Sequence, residues 1–184
     1  MSTEDSANSM LRRVRAIADF QFGKGAGDAL FPGDCTFLLS NTGRIRQVLH
    51  GDGRIATVRA QDGRLTLGIA GARRLHAFLP PPAYRVVVQN DVAEFMAKGK
   101  NAFAKHVVTA DPEIRADEEV LVVNESGDLL ATGVAMLSGR EMREFKYGVA
   151  VQVRKGSAQD VTQREPEADE ADDEEARDAG RADR

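Results

Sequence analysis

Apolar positions repeat with two different periods along this chain. Over residues 6–19, Met10, Leu11, Val14, Ile17 and Ala18 recur three and four positions apart, which predicts a helix with one packed face. Gly23, Gly25 and Gly27 then interrupt helix propensity, and residues 28–31 read as a short helical turn stopped by Pro32 and Gly33. After that the pattern becomes that of strands, at 36–40, 44–49, 54–59 and 64–67. Asn41-Thr42-Gly43, Gly51-Asp52-Gly53 and Gln61-Asp62-Gly63 separate them as turns. Hairpins at this spacing predict a small antiparallel sheet. Residues 69–78, IAGARRLHAF, read as a helix that closes a first domain, and Pro80-Pro81-Pro82 marks a linker.

A second strand-rich stretch comes next. The valine run Val86-Val87-Val88 in 85–89 predicts a strand buried on both faces. Asp91 is placed to cap a short helix over 91–98, with Val92, Phe95 and Met96 on its inner face. Past the turn Gly99-Lys100-Asn101, strands are expected at 105–108, 119–124, 129–136 and 148–154, with Ser126-Gly127-Asp128 as a hairpin turn. Together these predict a partly closed β-barrel, an arrangement that hides vulnerable sheet edges.

Charge divides the chain unevenly. Of the 184 residues, 42% are hydrophobic, enough for real cores. The stretch 157–184 holds 11 acidic and 4 basic residues and almost nothing large and apolar, so it is expected to be disordered. The whole chain has a formal charge of −4, so residues 1–156 carry about +3, a mildly basic body on which phosphate could settle. A single cysteine, Cys35, excludes an intrachain disulfide or a multi-cysteine zinc site and suggests a reducing compartment. No stretch approaches about 18 uninterrupted apolar residues, and the expectation is a cytoplasmic protein with no membrane partner.

Three segments, RVVVQNDVAEFMAKGKNAFAKHVV, EEVLVVNESGDLLATGVAML and SGREMREFKYGVAVQVRKG, succeed one another from Arg85. Their order of strand, short helix, glycine-lysine turn and β-meander resembles a PUA domain, an RNA-binding module of RNA-modifying enzymes. FQFGKGAGDALFP and TGRIRQVLHGDGRIATVRAQDGRLTLGIAGARRL extend the resemblance to the C-terminal region of the archaeal tRNA-guanine transglycosylases, the archaeosine enzymes. The resemblance implies an α+β chain: a small α+β domain (6–79), a linker (80–84), a PUA-type barrel (85–156) and an acidic tail (157–184). Nineteen arginines against six lysines, beside surplus acid, suit a halophilic archaeon and equally a GC-rich genome.

In PUA domains the helix and the strand around the glycine turn meet an RNA helix or acceptor stem. The resemblance places that role here on Lys98, Gly99, Lys100, Asn101, Phe103, Lys105 and His106. The residue types agree in part: three lysines within eight residues can neutralise phosphates, and Gly99 permits close backbone approach. Phe103 could stack on a base, but a lone aromatic followed by small and apolar residues reads more readily as core. His106 stands where the transglycosylase pattern has an aromatic or apolar residue. Arg115 is a further RNA contact by resemblance, with a salt-bridged loop residue as the equal alternative. Arg154 and Lys155, at the end of the last strand, are candidate phosphate contacts. Arg44 and Arg46, two apart on one strand, would form a basic strip that Arg59 and Arg64 extend; pairing with Asp34, Asp52 and Asp62 is the equal alternative.

Catalytic machinery is not legible. QFGKGAG lacks the spacing and the terminal Lys-Ser/Thr of a phosphate loop and reads as a bend between helices. His50, His76 and His106 are isolated, so no metal site or cofactor is expected. Cys35 reads as a small core residue or a bystander. Ser138, Glu141 and Met142 match a PUA turn, and Ser138 has no histidine partner that would make it a nucleophile. The family's catalytic TIM barrel has no room in this chain. The expectation is therefore a noncatalytic protein that binds structured RNA, tRNA in the first place, through its C-terminal barrel. The alternative is a noncatalytic subunit docked on a separate tRNA-modifying enzyme. With few spare aromatics, the barrel face is expected to recognise helix shape and phosphates rather than bases. The acidic tail is either solubilising or a cover for the basic face.

Overall fold

The computed structural model describes residues 3–159, and the expectation of disorder for 157–184 therefore falls almost wholly outside the described residues. Helix α1 (Thr3–Phe22) runs longer than its periodic stretch, because Phe22 continues the buried face of Leu11, Val14 and Ala18. The glycine-rich bend after it brings α2 (Ala26–Leu30) back across α1. Gly23 and Gly25 take positive φ of 102° and 92°, and a Cβ at Gly27 would lie 2.5 Å from the Arg15 carbonyl oxygen. Asp19 substitutes for a capping side chain, its Oδ1 accepting from the backbone N–H groups of Gly25 (3.1 Å) and Gly27 (2.7 Å). QFGKGAG thus spans the bend between two helices, as the resemblance implied.

Strands β1 (Thr36–Leu39), β2 (Ile45–His50), β3 (Gly53–Val58) and β4 (Leu65–Leu67) form an antiparallel meander in chain order. Helix α3 (Ile69–Phe78) lies on β3, and a Cβ on Gly68 or Gly71 would sit 2.2 Å from the Arg54 or the Ile55 carbonyl oxygen. Leu11, Val14, Phe22, Leu30, Phe31, Val48, Ile55, Leu65 and Leu75 pack into a first core between helices and sheet. Cys35 is part of it.

The second sheet contains β5 (Arg85–Val88), β6 (Ala102–Phe103), β7 (Val107–Ala110), β8 (Glu119–Val123), β9 (Leu129–Ala135) and β10 (Val149–Gly156) in the order β6-β10-β9-β8-β5-β7. All pairs are antiparallel except β5 with β8. The two outer strands of that order, β6 and β7, are neighbours in sequence, joined by the 3₁₀ turn 104–106. One short segment therefore lies on both edges, pairing with β10 at Phe103–Val149 and with β5 at Val88–Val107. Two further backbone bonds, Ala104 to Gly148 O at 2.9 Å and Gln89 to His106 O at 3.0 Å, tie it down. This nearly closes the barrel over a second core of Val86, Val88, Met96, Val120, Val122, Met142, Ala150 and Val151.

Several expectations are corrected here. The expected helix over 91–98 is a 3₁₀ turn (Asn90–Val92) followed by the five-residue α4 (Ala93–Ala97). Asp91 falls inside the turn and caps nothing, since the N-cap positions are Gln89 and Val92. Val92 and Met96, four apart, face inward, so Phe95 is carried round to solvent at 56% exposure. The strand expected at 105–108 starts only at Val107. The Ser138 turn opens a helix, α5 (Gly139–Glu144), with a reciprocal capping box: Ser138 Oγ accepts from the Glu141 N–H while the Glu141 carboxylate accepts from the Ser138 N–H.

The two sheets are joined by polar contacts around β4 and β8. Leu121 of β8 belongs to the first core. The Leu67 N–H donates to Glu119 Oε1 (2.9 Å), and Tyr84 Oη donates to the Gln21 carbonyl (2.6 Å). Arg85, buried at 7% exposure, donates Nη2 to the carbonyls of His76 and Leu79, both at 2.9 Å. A cation at the C-terminus of α3 satisfies carbonyls that the helix leaves open.

Candidate nucleic-acid interface

The segment from Lys98 to His106 is positioned by the ends of the barrel sheet. Helix α4 stops when Gly99 adopts φ +86°, with its N–H bonded to Met96 O (2.9 Å) and the Lys100 N–H to Phe95 O (3.0 Å). Lys98 is exposed and paired with Glu94 one turn back, at 2.5 Å. That hydrogen bond holds the Glu94 carboxyl below its ordinary range. Lys100 and Lys105 are exposed, with no ion-pair partner among the described residues.

Asn101 turns inward. Its Oδ1 accepts from the Val153 N–H at 3.0 Å, beside the register shift in β10 between Val153 and Lys155. The residue left over by that shift is Arg154, and a bulge of this kind re-aims its side chain. Arg154 Nη1 reaches Glu119 Oε2 at 3.0 Å, and Glu119 is 3% exposed. Arg154, expected as a phosphate contact, is exposed and has one guanidinium nitrogen engaged by this buried carboxylate. Lys155 is half-buried and has an interaction of its own.

Phe103 is a correction. It is 45% exposed rather than core, because β6 has only two residues, Ala102 takes the inward position and Phe103 the outward one. Two more aromatics stand on the chain that pairs with it: Phe145 at 45% exposure and Tyr147 at 89%, just before Gly148 and Val149. Lys105 and Lys146, in the same two paired segments, are exposed as well. Sequence reasoning missed Phe145 and Tyr147; the alternation of aromatic and lysine in EFKYG was the signal that could have found them. The expectation of a face with few spare aromatics does not hold.

His106 is half-buried, with Nδ1 3.1 Å from Gln89 Oε1. Arg115 is exposed, and its backbone N–H donates to Glu118 Oε2 at 2.9 Å. Among the described residues no cluster of three or more His, Cys, Asp or Glu could hold a metal ion. Burial, and secondarily Asp34, push the Cys35 thiol up to about 11, which leaves it without the thiolate that nucleophilic chemistry needs.

A separate basic groove of about 1130 Å³ lies on the first sheet. It is lined by Arg13 from α1, Arg44 and Arg46, Arg59 after β3, and the polar turn Ser40, Asn41 and Thr42. Arg44 is in the turn before β2, bonded through its backbone to Ser40, and Arg46 is exposed on the strand. Arg59 is paired with Asp62 at 2.9 Å. Arg59 agrees with the paired reading; Arg46, which has an interaction of its own, lines the groove together with Arg44 and Arg13.

No helix among the described residues is long and apolar enough to cross a membrane. Two domain families match the chain: the patch-forming domain C2 of tRNA-guanine transglycosylase over residues 12–82, and the PUA domain over residues 84–157. The tRNA-guanine(15) transglycosylase of Pyrococcus furiosus is 54% identical over 143 residues, which are 78% of this chain and 24% of that protein. The chain thus spans about a quarter of the length of the curated relatives it matches, in their C-terminal part. Among solved structures, a hypothetical protein from Pyrococcus horikoshii superposes with a TM-score of 0.63 at 22% identity, over 81% of this chain and 90% of that one. A conserved PUA domain protein from Thermoplasma acidophilum superposes with a TM-score of 0.55 at 16% identity, over 84% and 91%. Both similarities are of fold.

Proposed function

The chain is a PUA-domain protein whose barrel comes after a C2 domain of the tRNA-guanine transglycosylase type, and on that premise we propose that it binds structured RNA, tRNA in connection with its modification. The observation that carries this reading is the segment 98–106. It is fastened to both barrel edges while Lys100, Phe103 and Lys105 face solvent, beside Phe145 and Tyr147. A rigid backbone with exposed cations and rings suits phosphate contact together with stacking on unpaired bases. Lys98, Lys100, Lys105 and Arg115 take the phosphates, Phe103 stacks, and Gly99 lets the sugar-phosphate chain approach. Asn101, His106, Arg154 and Lys155 hold that surface in shape. Arg44 and Arg46, with Arg13, supply a second phosphate-tracking groove on the C2 domain. Binding, not catalysis, is the role proposed for these two domains.

The test is ultraviolet crosslinking of the full chain to total tRNA and to unrelated duplex RNA, with the crosslinked peptides identified. Preferential recovery of tRNA with crosslinks at 98–106 and 145–147 is expected. Crosslinks confined to other surfaces, or equal recovery of both RNAs, would remove the reading.

A second reading, a noncatalytic subunit docked on a separate tRNA-modifying enzyme such as a transglycosylase, draws on the exposed apolar side chains of the first domain. Phe20 is 92% exposed at the mouth of a cavity of about 400 Å³ lined by Ile17, Tyr84 and Arg64, and Leu38 and Leu39 are half-exposed. Phe20→Asp should abolish co-purification with such an enzyme while leaving RNA crosslinks at 98–106 unchanged.

A further inference from the structure

We propose that the cavity beside Phe20 takes one unpaired base from an RNA strand whose phosphates lie in the basic groove next to it. The inference rests on the reading of the chain as an RNA-binding protein, and its starting point is that groove and cavity are two parts of one surface. Ile17 of α1 and Gly63 of the turn between β3 and β4 line both. Along α1, Arg13, Ile17 and Phe20 stand four and three positions apart, which puts them on one helix face. Arg13 lines the groove, Ile17 both spaces and Phe20 the cavity. The turn is arranged the same way, with Arg59 in the groove, Gly63 in both and Arg64 in the cavity. At 1.5 Å rise per residue Arg13 and Phe20 are about 10 Å apart along the helix, the length of about three stacked nucleotides at 3.4 Å each.

The cavity's residues suit a base at one end and a phosphate at the other. Phe20 is 92% exposed, on a helix that buries Leu11, Val14 and Phe22. A ring left in water at the mouth of a space of about 400 Å³ is a platform on which a base can stack, and such stacking tolerates any base. Arg64 is exposed with no ion-pair partner among the described residues, which leaves its guanidinium for the phosphate of the same nucleotide. The remaining wall is acidic, yet each acid is already engaged: Asp62 by Arg59 (2.9 Å), Glu118 by the Arg115 N–H (2.9 Å) and Glu119 by Arg154 (3.0 Å). Their repulsion of a strand is reduced accordingly. The lone pairs left on Asp62 and Glu118 accept hydrogen bonds and cannot donate them. They select a base edge with an exocyclic amino group. Cytosine carries the N4 amino donor where uracil carries the O4 acceptor, so the cavity prefers cytosine to uracil.

Amide NMR titration of the isotope-labelled full chain with the cytidine and the uridine tetranucleotide tests the site, since the two carry equal charge and differ only in the base edge. The cytidine tetranucleotide should shift the signals of residues 13–21 and 59–64 and bind about fivefold tighter than the uridine one. Phe20→Ala should weaken its binding about 5- to 150-fold, the loss of one stacked base, with thermal unfolding unchanged because the ring is exposed. No shift at those residues at millimolar tetranucleotide, equal affinity for the two, or unchanged affinity in Phe20→Ala would overturn the proposal. So would a parent protein that binds neither tetranucleotide but loses a co-purifying enzyme on Phe20→Asp, which would assign the face to a protein. Tetranucleotide binding at the cavity, in a protein that gives no tRNA crosslinks at 98–106, would leave the cavity standing and remove the reading of the barrel segment. Crosslinks at 98–106 with no shifts at the cavity would do the reverse.

Discussion

Glu119 lies where the two sheets meet, and replacing it by glutamine should shift stability in favour of the variant, relative to the parent, as pH rises from about 4.5 to about 7. Its carboxylate accepts from the Leu67 N–H of the neighbouring sheet, from Thr132 Oγ1 at 3.3 Å and from Arg154. Burial raises its pKa from 4.5 to about 7, outweighing those three contacts and Arg59, all of which favour the ionised form. Between pH 4.5 and 7 the folded protein therefore keeps a proton that the unfolded chain has lost. Stability from this group is full below about pH 4.5, falls as pH rises through that window and is flat above about 7. At about 1.4 kcal/mol per pH unit the loss reaches about 3 kcal/mol. Glu119→Gln keeps a carbonyl for Leu67 and does not titrate. Urea unfolding read by circular dichroism, at a series of pH values from about 4.5 to about 8, gives the difference between variant and parent. That difference should move by about 3 kcal/mol in favour of the variant across the series. A difference constant to within about 0.5 kcal/mol would refute the reasoning, and would mean that Arg154 keeps Glu119 ionised despite burial.

Gly139→Ala should destabilise by about 3 kcal/mol, since its Cβ would fall 1.9 Å from the Asp111 carbonyl oxygen; Gly33→Ala, where the same position is open, should leave thermal unfolding unchanged. Ser138→Ala removes half of the capping box on α5 and should cost about 1 kcal/mol in the same melts. Phe103→Ala should alter stability by less than about 0.5 kcal/mol while weakening RNA binding by about 1–3 kcal/mol, measured by filter binding; a loss of stability without a loss of affinity would return Phe103 to a packing role. Lys100→Ala with Lys105→Ala should reduce the slope of log affinity against log salt by about 1 for each phosphate contact removed, with little change in preference among RNAs.

Much of the candidate surface was legible for local reasons. Gly99 ends a helix that its neighbours Val92 and Met96 anchor, and the lysines around it stay solvated, since burying a lysine's charge is costly. The parts that were not legible depend on partners distant in sequence. Phe103 is exposed because its two-residue strand is held at Val149, 46 positions on, and that pairing fixes which face points out. One guanidinium nitrogen of the exposed Arg154 meets Glu119 because β10 slips one residue against β9 and a buried carboxylate waits on β8. Nothing in the order of residues around 154 announces the slip. Asn101, read as an RNA contact, is turned inward by the same strand.

By itself, then, the sequence determined the elements and their faces: the α1 stripe, the three hairpin turns, helix α3 at Ile69–Phe78, and a lysine-bearing turn between a short helix and a strand. These come from periodicity and turn chemistry, which act over a few residues. Tertiary structure alone decided that residues 102–110 lie on both open edges of the barrel, that Glu119 and Leu67 join the two sheets, and that the Gln159 side chain lies beside Gly99. The physical reason is the same in each case. Side-chain periodicity specifies which side of an element is buried, whereas hydrogen-bond pairing and close packing across long sequence separations specify what it is buried against.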